Sequence, residues 1–189
     1  MLRWPALLVL PTLLVGCGSG SVSPPRTNID PVATLEIQPT PAGLDQSKDV
    51  EPLDVTAFQE TLAGVAKADA AESYRAIGFY DAAIRRWSGP GGARVIMVIS
   101  RWPDHQKATN VGGGAVNVVQ ESPGTGGWTP SELGGTRGAR RTDDPQVRII
   151  ADAVADVSVI VRADGPVTDA VVIRAMQLVI RPIRAVAPR

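Results

Sequence analysis

The stretch Gly78-Phe-Tyr-Asp-Ala-Ala-Ile-Arg-Arg-Trp87, Ser88-Gly-Pro-Gly-Gly92, Ala93-Arg-Val-Ile-Met-Val-Ile-Ser-Arg-Trp102 decides the fold. Its middle is a Gly/Pro cluster that breaks any regular element. Its two arms are extended candidates of similar length. Two strands joined by a short Gly-rich loop make a β-hairpin. Val95-Ile-Met-Val-Ile99 is apolar at every position, so the second arm is expected to be a central strand with both faces covered. Pro103 stops it.

Downstream, three further strands are expected at about 136–141, 147–154 and 157–163. In the last, Val157, Val159 and Val161 alternate with Ser158 and Arg162, the pattern of a half-buried strand. Asp164-Gly-Pro166 breaks it. A helix over about 167–181 then places Thr168, Val172, Ala175, Met176, Val179 and Ile183 on one stripe, and Pro182 is expected to end or bend it. Between hairpin and strands, Gly112-Gly-Gly114 limits helix to about 106–110. The Gly/Pro-rich segment 122–135 reads as a surface loop.

Upstream, Phe58, Leu62 and Val65 at helical spacing predict a helix over about 57–67, with Thr56 as N-cap and Gln59 closing a capping box. Before it, residues 18–53 are rich in Gly, Ser, Thr and Pro, and their apolar residues follow no period. Such a segment reads as a disordered tether, with a short strand at Ala33–Ile37 as an option. The expected fold class is therefore α+β: an antiparallel sheet of about five strands with helices packed on one face, preceded by the tether.

The chain opens with Arg3 and a run of about a dozen apolar residues, Trp4 to Val15. That matches a signal-peptide core and is too short for a membrane span. Leu14-Val15-Gly16-Cys17 closes the run and resembles the lipobox of bacterial lipoproteins. The resemblance implies a diacylglyceryl group on the Cys17 sulfur and cleavage between Gly16 and Cys17. It gives a signal peptide at 1–16, a lipidated cysteine and tether at 17–53, and a single domain at 54–189. Cys17 is the only cysteine, so no internal disulfide is available. Lipidation gives that thiol a purpose, and two or three acyl chains anchor stably where one is marginal. The implied location is the cell membrane, extracytoplasmic face. The domain, through Arg86-Trp87 and Val95–Ile99 in its hairpin, is similar to small lipoproteins of high-GC Gram-positive bacteria with α+β folds of the PsbP/Mog1 type, a likeness that transfers no functional residue.

Nineteen basic residues balance nineteen acidic ones, so nucleic acid is not an expected partner. Arg137, Arg140 and Arg141 form a basic cluster beside Asp143 and Asp144. His105 is the only histidine, no Gly-x-Ser-x-Gly elbow presents a nucleophile, and one histidine cannot build a zinc site. The acids of the last third, Asp143, Asp144, Asp152, Asp156, Asp164 and Asp169, read as turn residues. No phosphate-binding signature follows the Gly-rich stretches, and no cofactor is expected. Trp128, in the Gly/Pro loop, is the preferred ligand or partner contact, with Arg137, Arg140 and Arg141 as further candidates.

The sequence thus leads to a non-catalytic, membrane-anchored domain binding a small ligand or an envelope protein. The rivals are an envelope hydrolase using acidic residues and a structural envelope component. No catalytic residue is assigned.

Overall fold

The computed structural model describes residues 27–63, 68–134, 136–143 and 146–187. Residues 1–26, Gly16 and Cys17 among them, lie outside the described residues. Thirteen regular elements follow one another: α1 (Pro31–Glu36), β1 (Gln46–Ser47), β2 (Glu51–Leu53), α2 (Val55–Ala63), α3 (Ala68–Ala76), β3 (Asp81–Ser88), β4 (Arg94–Arg101), α4 (His105–Gln120), β5 (Gly126–Trp128), β6 (Arg137–Arg141), β7 (Val147–Val154), β8 (Val157–Asp164) and α5 (Asp169–Val186).

The class is α+β. All eight strands form one antiparallel sheet, in the order β1-β3-β4-β8-β7-β6-β5, with β2 pairing the same edge of β3 as β1. The hairpin is present as read, Asp81 opposite Arg101 and Ser88 opposite Arg94. β4 lies between β3 and β8, as its two apolar faces require.

Three strands beyond the expected five come from short edge segments that carry little hydrophobic pattern. β5 lies within the stretch read as loop, and β1 and β2 lie within the stretch read as tether.

Helices cover both faces, not one. On the first face α1 and α5 enclose Leu35, Trp87, Val95, Met97, Ile99, Val159, Val161 and Met176. On the second, α2 and α4 enclose Phe58, Ile84, Val98, Trp102, Val116 and Ile160. The reason is β8. Ser158 and Ile160 are as buried as Val157, Val159 and Val161, with which they alternate, so this strand is covered on both sides and needs helices above and below.

The domain also begins earlier than residue 54. Asp30 caps α1, its Oδ1 accepting from the amides of Val32 (2.9 Å) and Ala33 (3.3 Å), and Pro31 takes the first helical position, where a missing N–H costs nothing. Leu35 is fully buried. At the other end, Arg85 Nη1 on β3 donates to the carbonyls of Leu35 (2.8 Å), Glu36 (3.0 Å) and Gln38 (2.8 Å). A cation on the last carbonyls of a helix satisfies orphan acceptors and opposes the dipole. Residues 33–36 are helical, so the strand option there fails, and 27–53 is not a disordered tether.

Three boundaries shift for local reasons. Asp54, not Thr56, caps α2, accepting from Thr56 N (2.9 Å) and Ala57 N (2.8 Å). α4 runs straight through Gly112-Gly-Gly114. Each glycine costs a helix up to about 1 kcal/mol, but a Cβ on Gly112 would lie 3.1 Å from Ala151 Cβ and 3.2 Å from Ser158 Oγ. The glycine thus lets the helix approach the sheet and bury Ala108, Val111, Ala115 and Val116. Pro182 sits inside α5, which continues to Val186. Val179, Ile180 and Ile183 stay buried there, and that contact outweighs one lost backbone bond.

Candidate functional site

The first face of the sheet is not fully closed. Between α1 and α5 lies a cleft of about 430 Å³. Met97 of β4 forms its floor. The segment 38–42 makes one wall, with Pro39, Pro41 and Ala42. The first half of α5 makes the other, with Val171, Ala175 and Leu178, and Arg174 stands at the rim.

Each wall is held by its own device. Arg85 grips the carbonyl of Gln38, and Gln38 Nε2 donates to Thr34 O at 2.8 Å. Leu44 N closes a turn onto Pro41 O at 3.2 Å. Gly43 within that turn has φ +81°, a backbone shape that disfavours any side chain. The opposite wall is fixed at the first turn of α5. Asp169 accepts from Arg148 Nε at 2.6 Å and also pairs with Arg140. Arg148 is buried, so its charge is neutralised in place. Asp169 also sits at the positive end of the helix.

The cleft is therefore preformed, largely apolar and open at one side, with a guanidinium beside the opening. Arg174 is exposed and makes no ion pair among the described residues. No acid lies within a turn of it on α5, and the facing segment 38–42 carries none. Apolar walls with one oriented charge are the features of a small-molecule site.

The residues singled out by sequence lie elsewhere. Trp128 is on edge strand β5, half-buried, with the Arg140 guanidinium 5.5 Å from its ring centre. It is a cover on the core, not the tip of a loop. Arg137, Arg140 and Arg141 do not converge. Arg140 is engaged by Asp169 and Trp128 on the α5 side of the sheet. Arg137 Nη1 reaches the opposite side, 3.1 Å from where a Gly113 Cβ would stand. Arg141 Nη1 donates to Pro123 O at 3.2 Å. Alternation along β6 puts Arg140 on one face and Arg137 and Arg141 on the other, the latter two about 13 Å apart along the strand, so the three make no common anion site.

Asp144 lies outside the described residues; of the other acids of the last third, Asp152, Asp156, Asp164 and Asp169 are drawn into structural pairs. Asp152 meets Arg184 at 3.1 Å and Thr136 Oγ1 at 3.2 Å, Asp164 meets Arg162 at 2.9 Å, and Asp156 accepts the Thr27 amide at 3.0 Å. His105 is exposed on the first turn of α4, its Nδ1 3.1 Å from Ala155 O. No group of three or more His, Cys, Asp or Glu is placed to hold a metal among the described residues. No helix among them is long and apolar enough to cross a membrane.

Two ionisations are displaced, both outside the cleft. Burial against Phe58 and Trp102 pushes the Tyr74 phenol up. A hydrogen bond to Asp81 raises the Arg101 guanidinium further.

The cleft escaped the sequence reading because one wall is built from residues 38–42, whose composition reads as linker. The Asp30-Pro31 pair, an N-cap followed by proline, was the available signal that structure begins there.

No protein-family model matches the chain, and no curated protein matches it. Among solved structures, the extracellular domain of PknH from Mycobacterium tuberculosis aligns with a TM-score of 0.47 and 13% identity, over 81% of this chain and 89% of that one. That degree of likeness assigns neither family nor activity.

Proposed function

We propose that this chain is a lipid-anchored extracytoplasmic domain that performs no catalysis and binds a single-chain anionic amphiphile in the cleft between residues 38–42 and α5. The observation that carries the reading is the cleft itself: about 430 Å³, largely apolar on its walls and floor, with Arg174 at its rim. That volume falls in the range of small-ligand pockets. An alkyl chain would displace water from Met97, Val171 and Leu178, and an acidic head group would meet the guanidinium. The anchor rests on Leu14-Val15-Gly16-Cys17 after an apolar leader. The absence of catalysis is inferred from the pairing of Asp152, Asp164 and Asp169 with arginines.

Dodecanoate titrated into the protein by calorimetry tests the binding. Saturable one-to-one binding is expected. Ala170→Trp, at an exposed position on the cleft wall, should abolish it while leaving the circular dichroism unchanged. Arg174→Gln should weaken dodecanoate about 5–10-fold, the scale of one charge-assisted hydrogen bond, and leave dodecanol unaffected. Unsaturable binding, or Ala170→Trp binding as the native protein does, rejects the site. Fatty-acid labelling in cells, lost in Cys17→Ser, tests the anchor separately.

A further inference from the structure

We infer that the end of the domain bearing the Ala155–Asp156 turn faces the bilayer that holds Cys17. The inference rests on the lipid anchor proposed above and goes beyond it, because an anchor alone sets no orientation. The first described residue, Thr27, is pinned: its amide donates to Asp156 Oδ2 at 3.0 Å, a buried bond across 129 positions of sequence. Asp156 is itself 1% exposed and sits in the β7–β8 turn. Its carbonyl accepts from Trp102 N at 2.8 Å, where β4 ends and α4 is about to begin. The chain therefore enters the fold at one pole of the sheet, at a point fixed by buried hydrogen bonds.

Nine residues, 18–26, separate Cys17 from Thr27, ten peptide steps in all. Even fully extended, that stretch spans at most about 36 Å. The 36-residue spacer expected from composition shrinks to nine. A domain of this size has a radius of gyration of about 15 Å, so a leash this short keeps the pinned pole toward the membrane and the opposite pole away from it.

The pole has the surface such a position suits. Tyr80 is half-exposed beside it, its amide bonded to Arg101 O at 3.2 Å and its ring 4.8 Å from the Arg101 guanidinium. Val186, 63% exposed, ends α5 two residues past Arg184, which pairs with Asp152 near the β7 end. Amphipathic aromatic side chains favour the head-group layer. The cleft opens along the first half of α5. Arg174 lies ten residues before Arg184, about 15 Å up the helix axis, so its mouth stays in water.

The chain's single thiol allows a direct test. The chain from Cys17 onward is coupled through that thiol to a maleimide phospholipid in phosphatidylcholine vesicles. A benzophenone amino acid is placed at Tyr80, at Val186, at Val118 or at Pro166. The first two positions belong to the pinned pole; Pro166 follows β8 at the other end, and Val118 lies near the C-terminus of α4. Lipid crosslinking is expected at Tyr80 and Val186 and at least about fivefold less at Val118 and Pro166. Inserting twenty Gly/Ser residues after Val22 should reduce the Tyr80 signal about 2–5-fold, following the fall of effective concentration with linker length. Equal crosslinking at all four positions, or a Tyr80 signal indifferent to the insertion, overturns the inference. Because the coupling is chemical, it reports orientation whether or not cells lipidate Cys17. A missing fatty-acid label in cells would instead remove the anchor, and with it the premise.

Discussion

Arg148 on β7 and Asp169 on the first turn of α5 are joined by a hydrogen bond of 2.6 Å between Nε and Oδ1. This pair locks the long C-terminal helix to the sheet and so holds one wall of the cleft. Removing the negative charge of Asp169 leaves a guanidinium that is only 10% exposed without its counter-ion. Asp169→Asn should therefore cost about 2 kcal/mol, read as a lower urea midpoint with an unchanged slope. Arg140, the second partner of Asp169, is 41% exposed. Its replacement by Gln should cost under about 1 kcal/mol. Equal effects of the two would mean that burial does not set the strength of the pair.

The glycines of α4 should respond oppositely to substitution. A Cβ on Gly114 meets nothing within 4 Å, so Gly114→Ala should stabilise by up to about 1 kcal/mol through helix propensity. At Gly112 the neighbours are Ala151 Cβ and Ser158 Oγ, both on the rigid centre of the sheet. Gly112→Val should destabilise by about 1–3 kcal/mol through overpacking. Thermal melts of the two variants, run together, decide whether helix–sheet contact is what keeps Gly112 small.

Ala155 has φ +51°, the single non-glycine residue in the left-handed region among the described residues. It occupies the two-residue turn between β7 and β8. An L-residue there costs about 1–2 kcal/mol relative to its preferred conformations. Ala155→Gly relieves that cost but loosens the unfolded chain, so a net gain of roughly 0.5 kcal/mol is expected. Chemical denaturation checks it; a loss of stability would show that the Ala155 methyl makes contacts worth more than the strain.

The Tyr74 phenol holds its proton more tightly in the folded protein than in water, because burial penalises the anion. Its unfolded counterpart ionises near pH 10. Above that pH the unfolded chain binds fewer protons than the native one, so stability falls as pH rises; below it the contribution is fully present. Urea midpoints between pH 8 and pH 11 should decline, and Tyr74→Phe should flatten the decline. An unchanged slope in Tyr74→Phe would assign the alkaline loss to another group.

How much was legible in the residues follows from where the signal is periodic. The hairpin, β7, β8 and α5 carry long apolar runs or repeats of period two or near four, and they stand within a few residues of where the pattern puts them. α1, β1, β2 and β5 are two to six residues long. No period can be read over such a length. They form because distant partners await them: Arg85 for the carbonyls of α1, β3 for β1 and β2, and β6 for β5.

Local sequence alone determined the hairpin and its central second strand, because β-branched runs and a Gly/Pro break act on neighbouring residues without help from elsewhere. It also supplied Leu14-Val15-Gly16-Cys17, the lipobox-like run on which the proposed anchor rests, since four adjacent residues need no fold to be read. The cleft, the pinning of Thr27 by Asp156 and the scattering of Arg137, Arg140 and Arg141 to opposite sides of the sheet were decided by tertiary structure. Each depends on groups far apart in sequence, or on which face of a sheet a side chain takes, and only the folded chain brings those together.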